Sequence, residues 1–253
     1  LFGLDTKREG MLIAGVIHPP AFGMKVASID ASVAKNMAGI KDVFVINTMP
    51  EGVSKQWSDV NAFDELVAVV GESTWQVFKA KKAVEVTWEE TSKLENSSDH
   101  DATMLSLVNA PIKDAARKDG NPNAAFAKAD KVVESIYSAP FLAHNTMEPM
   151  NFFADVSGDK AELHGPVQTP IFLRGTVAKV CGLKEENVHV MMTRMGGGFG
   201  RRLYGHFGTE AAVISQKMGT PINLVYTRED DMTQGTYRPS YKVKYKAGLD
   251  ADG

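Results

Sequence analysis

The apolar positions of this chain come mostly in short compact or alternating runs, the signature of β-strands, with fewer stretches at helical spacing. Met11 to Ile17 is one such run, and Lys25 to Asp30 follows it after the Pro19-Pro20 break. Asp30 can cap a short helix from Ala31 to Met37 that Gly39 ends. Asp42 to Asn47 and Glu65 to Val70 read as further strands, separated by a polar loop around Pro50 and Trp57. Gly71-Glu72-Ser73 opens a helix with Trp75, Phe78 and Lys82 on one face. Val84, Val86 and Trp88 then alternate with Glu85, Thr87 and Glu89, as on a half-exposed sheet.

From Glu90 to about Asn123 the apolar pattern weakens, and Ser, Asn, Asp and Gly accumulate around one helix near Thr103 to Val108. This change predicts a domain at 1–90, a linker at 91–122 and a second domain at 123–253. In the second, Ala124 to Ala129 reads as a helix and Lys131 to Tyr137 as a strand, and Asn151 to Val156 with Ala161 to His164 forms a hairpin around Ser157-Gly158-Asp159. A helix from Pro170 to Cys181 has proline in its first turn and Gly182 just past its end. Asn187 to Met192 is a strand, His206 to Met218 a helix ended by Gly219, and Ile222 to Thr227 another strand. At Tyr241 to Ala247 aromatic and small residues alternate with lysines before an Asp-Gly turn, which reads either as half of a hairpin or as an edge strand guarded by charge. The fold class expected is α+β.

Between the strand at Asn187 and the helix at His206 lies Met195-Gly196-Gly197-Gly198-Phe199-Gly200-Arg201-Arg202. Its glycines let the backbone bring N–H groups close to a bound group, and two permanent charges follow at once, so an anionic or oxygen-rich guest suits it. The plainer alternative is a glycine-rich turn with solvated arginines. The overall charge adds no global preference: 28 Lys+Arg against 31 Asp+Glu leave a net charge of -3, which argues against nucleic acid and acidic membrane surfaces as partners. Cys181 is the only cysteine, so this chain holds neither an internal disulfide nor a four-cysteine iron–sulfur centre. No apolar run reaches the roughly 18 residues of a membrane span.

Two further segments carry candidate chemistry. His144-Asn145-Thr146-Met147-Glu148-Pro149 sets a histidine and a carboxylate four apart, but Pro149 opposes helical geometry at Glu148, so His144 and Glu148 fit hydrogen bonding near a site better than metal ligation. Gly165-Pro166-Val167-Gln168-Thr169-Pro170 leaves Gln168 at a helix entrance, where its amide can donate to an oxo or carbonyl group.

These three segments, in this order and spacing, resemble the molybdenum-binding large subunit of the xanthine oxidase family. The resemblance is greatest to the isoquinoline 1-oxidoreductase type, in which two arginines follow the glycine loop; aldehyde oxidases share the broader pattern. Phe2-Gly3-Leu4-Asp5, Pro19 to Asp30 and Val67 to Trp88 are similar to that family's α/β hammerhead domain. The resemblance implies a hammerhead domain followed by part of a mixed α+β molybdopterin-binding domain, and a bacterial oxidoreductase that hydroxylates N-heterocycles or aldehydes with water. It implies molybdopterin cytosine dinucleotide as cofactor, held by Gln168, Gly197, Gly198, Phe199, Gly200, Arg201 and Arg202. Electrons would pass to [2Fe–2S] clusters of a small partner subunit, in the bacterial cytoplasm or periplasm. Leu203 stands where purine hydroxylases carry an acidic residue, which disfavours purines. The family's base glutamate lies beyond Gly253, so no catalytic residue is expected in this chain, which needs the remaining C-terminal part of the subunit and should be inactive alone. The competing reading is a non-catalytic nucleotide- or RNA-binding module in which Phe199 stacks a base and the arginines meet phosphate.

Overall fold

The computed structural model describes residues 1–55, 57, 63–94, 96–113, 115–233 and 236–253. The chain divides into two compact units, one of residues 1–94 with 143–237 and the other of residues 95–142 with 238–253.

In the larger unit the first strands are β1 (Leu12–Ile17), β2 (Met24–Asp30), β3 (Ile40–Asn47), β4 (Glu65–Gly71) and β5 (Glu85–Glu90), with helices α1 (Ser32–Lys35) and α2 (Thr74–Lys81) among them. In the smaller unit follow α3 (Ser97–Asn109), α4 (Pro122–Lys128) and β6 (Lys131–Ala139). The larger unit resumes with β7 (Asn151–Ser157), β8 (Lys160–Gly165), α5 (Pro170–Cys181), β9 (Val188–Met192), α6 (His206–Met218), β10 (Ile222–Val225) and α7 (Arg228–Thr233), and β11 (Tyr241–Leu249) returns to the smaller one. The helix starts follow from local chemistry: Ser73 Oγ accepts from the Gln76 N–H at α2, while Pro170 sits in the first turn of α5 and Gly182 closes it with φ +68°. The polar loop expected before Glu65 lies partly outside the described residues.

One sheet of the order β3-β4-β1-β10-β7-β8-β9 runs through the larger unit. At its centre β1 pairs in parallel with β10, Leu12 opposite Ile222, so strands expected in two separate domains belong to one sheet. The division at 91–122 is therefore corrected. The polar stretch there opens the smaller unit, and the chain on either side of it packs together. Strand β4 shows why the sheet holds: Leu66, Ala68 and Val70 point into a core shared with Phe152, Leu163, Leu173, Phe207 and Ile214, and Val67 and Val69 point into a second core with Val43, Val77 and Ala80. A strand buried on both faces reads as an uninterrupted apolar run, as β4 does. The half-exposed surface expected near Trp88 belongs to a separate β2–β5 ribbon. In α2 the buried residues are Val77 and Ala80, so the face with Trp75 is not the core face; Trp75 is exposed.

In the smaller unit β11 pairs antiparallel with β6 along its whole length, from Tyr241 opposite Ala139 to Leu249 opposite Lys131. Of the two readings given above, the edge strand guarded by lysines is the one found. Its lysines meet acids across the ladder and on α3: Lys244 pairs with Glu134 at 2.7 Å and Lys242 with Asp101 at 2.6 Å.

Candidate functional site

The glycine loop follows β9 and is set against the 144–150 segment by a buried carboxylate. Glu148 Oε2 accepts from the Gly196 N–H at 2.8 Å, and Oε1 accepts from the Gly3 N–H at 3.1 Å and from Asn151 Nδ2 at 3.0 Å. The approach is close enough that a Cβ on Gly196 would lie 2.5 Å from Glu148 Cβ, so only glycine fits there. Arg202 completes the clamp. Its Nε donates to the Gly197 carbonyl at 2.8 Å and its Nη2 to the Glu148 carbonyl at 2.7 Å, with Glu148 Oε2 at 3.4 Å.

Arg202 is 0% exposed, and its Nη1 is also engaged, by Met150 Sδ and the Pro166 carbonyl. Named above among the residues implied to hold the cofactor, Arg202 has its donors spent within the protein, and it fixes the loop. The two arginines precede the long helix. They lie in a short 3₁₀ turn, Arg201–Leu203, and α6 starts at His206.

The Gln168 N–H donates to the Arg202 carbonyl at 2.8 Å, which ties the entrance of α5 to the loop. The Gln168 side chain is exposed and lies beside Gly198, where an added Cβ would come within 3.1 Å of its Oε1. Residues that nothing local in sequence makes neighbours thus meet. Among the described residues, neither the Gln168 amide nor the N–H groups of Gly197, Gly198, Phe199 and Gly200 have a hydrogen-bond partner. Positive φ at Gly197 (+96°), Phe199 (+52°) and Gly200 (+91°) shapes this segment, and Phe199 is the one non-glycine of the three. Left-handed geometry at a phenylalanine is strained, and such strain gathers at ligand sites. Its ring is 74% exposed. The surface so built sets unspent backbone donors near a side-chain amide, a combination suited to oxygen atoms of a bound group.

Next to the loop lies a buried polar cluster in which Arg201 and His144, named above, meet His206, Asp231, Tyr226, Glu210 and His18, which the sequence reading missed. Arg201 is buried, with Nη2 3.2 Å from His206 Nε2 and Nη1 without a partner among the described residues. His144 Nε2 comes 3.9 Å from where a Cβ on Gly200 would sit, and its pKa is lowered by burial and then by Arg201. Burial raises the Asp231 carboxyl pKa against the pull of Arg201 and Arg228. Further in, Tyr226 Oη donates to Glu210 Oε2 at 2.7 Å and lies 3.2 Å from His18 Nε2. A glutamate inside the apolar helix sequence Phe207 to Ile214 is the one sequence signal that could have revealed this cluster. No group of three or more His, Cys, Asp or Glu among the described residues is placed to hold a metal ion.

Comparison with known proteins gives the chain's family and fold. Residues 108–253 match the model of the molybdopterin cofactor-binding domain. The chain is 29% identical over 255 aligned residues to the membrane-bound aldehyde dehydrogenase (pyrroloquinoline-quinone) of Gluconacetobacter polyoxogenes, covering 99% of this chain and 32% of that protein. It is 26% identical to the isoquinoline 1-oxidoreductase subunit beta of Brevundimonas diminuta, covering 98% and 31%. The quinoline 2-oxidoreductase structure from Pseudomonas putida 86 superposes with a TM-score of 0.75 at 20% identity, over 99% of this chain and 35% of that one. The chain thus spans about a third of the length of these relatives. With more than half of its residues matched, it belongs to the molybdopterin cofactor-binding domain family.

Proposed function

We propose that this chain is part of the large subunit of a molybdenum hydroxylase, which oxidises N-heterocycles or aldehydes with water as the oxygen source. The observation that carries the reading is the meeting of the Gln168 amide with the glycine loop at Gly198, beside backbone N–H groups that no described residue uses. A Cβ at Gly198 would come within 3.1 Å of the Gln168 Oε1, so the amide and the loop are close neighbours. When bound, a molybdopterin cofactor supplies the two-electron oxidation. The chain's own residues would hold and orient it: Gln168 and the Phe199 and Gly200 N–H groups are the donors available to its oxygens, while Glu148 and Arg202 keep the loop in register. Arg201, with one nitrogen still unspent, supplies fixed positive charge next to the loop.

The cytosine dinucleotide form of the cofactor belongs to this reading, as do a small [2Fe–2S] partner subunit and a further part of the same polypeptide carrying the catalytic base. The likeness to a protein named as a subunit beta supports a partner subunit, and the coverage of only 31% of that relative supports a further part of the polypeptide. Leu203 in place of an acid directs the substrate class away from purines. The test is metal and pterin analysis of the full-length protein purified with its partner. Stoichiometric molybdenum with turnover of an N-heterocycle or an aldehyde is expected, and a protein that carries no molybdenum overturns the reading.

A further inference from the structure

We propose that His18, Tyr226 and Glu210 form a proton-transfer chain in which Glu210, buried on α6, takes up and releases a proton through His18. The chain is continuous, with His18 Nε2 3.2 Å from Tyr226 Oη and Tyr226 Oη 2.7 Å from Glu210 Oε2. All three residues are buried, yet His18 and Tyr226 line a groove with Lys81, Asp230, Trp75 and Phe78, so one end of the chain borders the surface. His18 Nδ1 is buried and has no partner among the described residues.

That unpartnered nitrogen gives the chain two hydrogen-bonding states that differ in the direction of the bonds among His18, Tyr226 and Glu210, with Nδ1 without a partner among the described residues in both. With Glu210 ionised, His18 carries its proton on Nε2 and donates to Tyr226 Oη, which donates to Glu210 Oε2. His18 Nδ1 is then a free acceptor. A proton arriving there moves the Nε2 proton to Tyr226 Oη as the tyrosine's own proton passes to Glu210 Oε2. One proton enters and one carboxylic acid forms, with no net change at Tyr226 or in the charge of His18. Every bond survives with its direction reversed: Glu210 donates to Tyr226, which donates to His18 Nε2, and His18 now carries its proton on Nδ1.

The surroundings set the balance between the states. Burial raises the Glu210 pKa to about 8, offset in part by the Tyr226 hydrogen bond and by Arg201, with Asp230 acting to raise it and Lys81 to lower it. The groups facing His18 are Asp230, Lys81 and Arg201, and burial holds its pKa down to about 3, so it passes protons without storing one. His206 lies one turn before Glu210 on α6 and is held neutral by burial and Arg201. The charge on Glu210 is felt at Arg201, next to Gly200, so the proton on Glu210 changes the field at the glycine loop. The proposal stands independently of any molybdenum at that loop.

The test uses the full-length protein with ¹⁵N-labelled histidine, titrated from about pH 6 to 9 by NMR and by difference infrared spectroscopy of the carboxylic-acid band. His18→Gln assigns the histidine signal, and Glu210→Gln assigns the infrared band. The expected result is loss of the band with a midpoint near 8, with the proton of neutral His18 passing from Nδ1 to Nε2 at the same midpoint. In Tyr226→Phe the band still titrates, but the His18 signal no longer follows it. A His18 signal that stays constant through the Glu210 midpoint, or that becomes imidazolium, overturns the proposal on the wild-type protein alone. So does a coupled tautomer change that persists in Tyr226→Phe.

Discussion

The Glu148 carboxylate accepts the Gly196 N–H at 2.8 Å across 48 positions of sequence, and the same oxygen lies 3.4 Å from the guanidinium of Arg202. Glu148→Ala leaves that guanidinium buried without its counter-charge and is expected to cost about 3–5 kcal/mol. Glu148→Gln removes only the charge and should cost about 1–3 kcal/mol. Urea denaturation of the two variants checks the order and the gap.

Arg202→Lys tests whether geometry or charge matters at the clamp. A lysine ammonium cannot reach the Gly197, Glu148 and Pro166 carbonyls from the positions that the planar guanidinium occupies. The expected outcome is faster amide hydrogen exchange at Gly196, Arg201 and Leu203, the bonded amides of the loop, with exchange in the β7–β8 ladder unchanged. Equal exchange at the loop in both proteins would show that a point charge suffices.

Gly198→Ala separates binding from folding. The added methyl meets Gln168 Oε1 at 3.1 Å, the end of an exposed side chain that can swing away, so stability should change by less than about 0.5 kcal/mol. Molybdenum content of the full-length protein should nevertheless fall several-fold. A variant with full metal content would remove Gln168 from the site.

Stability should depend on pH in a defined direction. Glu210 holds its proton more tightly folded, with its pKa raised from 4.5 to about 8, so its contribution is complete below pH 4.5 and is lost as pH rises toward 8. His18, lowered from 6.5 to about 3, acts oppositely, and its contribution is complete above pH 6.5. Between about pH 6.5 and 8 only the Glu210 effect remains of the two, and stability should fall by up to about 1.4 kcal/mol per pH unit. Denaturation midpoints in that window should flatten in Glu210→Gln.

Helices Pro170–Cys181 and His206–Met218 are legible residue for residue, because proline or a glycine break marks each start and a left-handed glycine each end. The strands are legible too, but their partners are not: nothing in the runs at Leu12 and Ile222 announces that they pair. Pairing is set by the total apolar surface to be covered, which no local window contains. The site divides similarly. Gln168 and the glycines stand out by composition, whereas an arginine after a glycine run looks the same in sequence whether it meets solvent or, like Arg202, disappears into the core. The RNA-binding alternative, which rested on that ambiguity, finds no support among the relatives.

The parallel pairing of β1 with β10 also bears on how the chain leaves the ribosome. Strand β4 can cover one edge of β1 soon after synthesis, but the other edge waits from residue 12 until residue 222 has emerged. At about 5–20 residues per second that is a delay on the order of 10–40 s. Throughout it an apolar strand edge stands open to other nascent chains. Chaperone demand during expression should therefore be concentrated before β10 is made, and translation stalled short of residue 222 should leave aggregation-prone product.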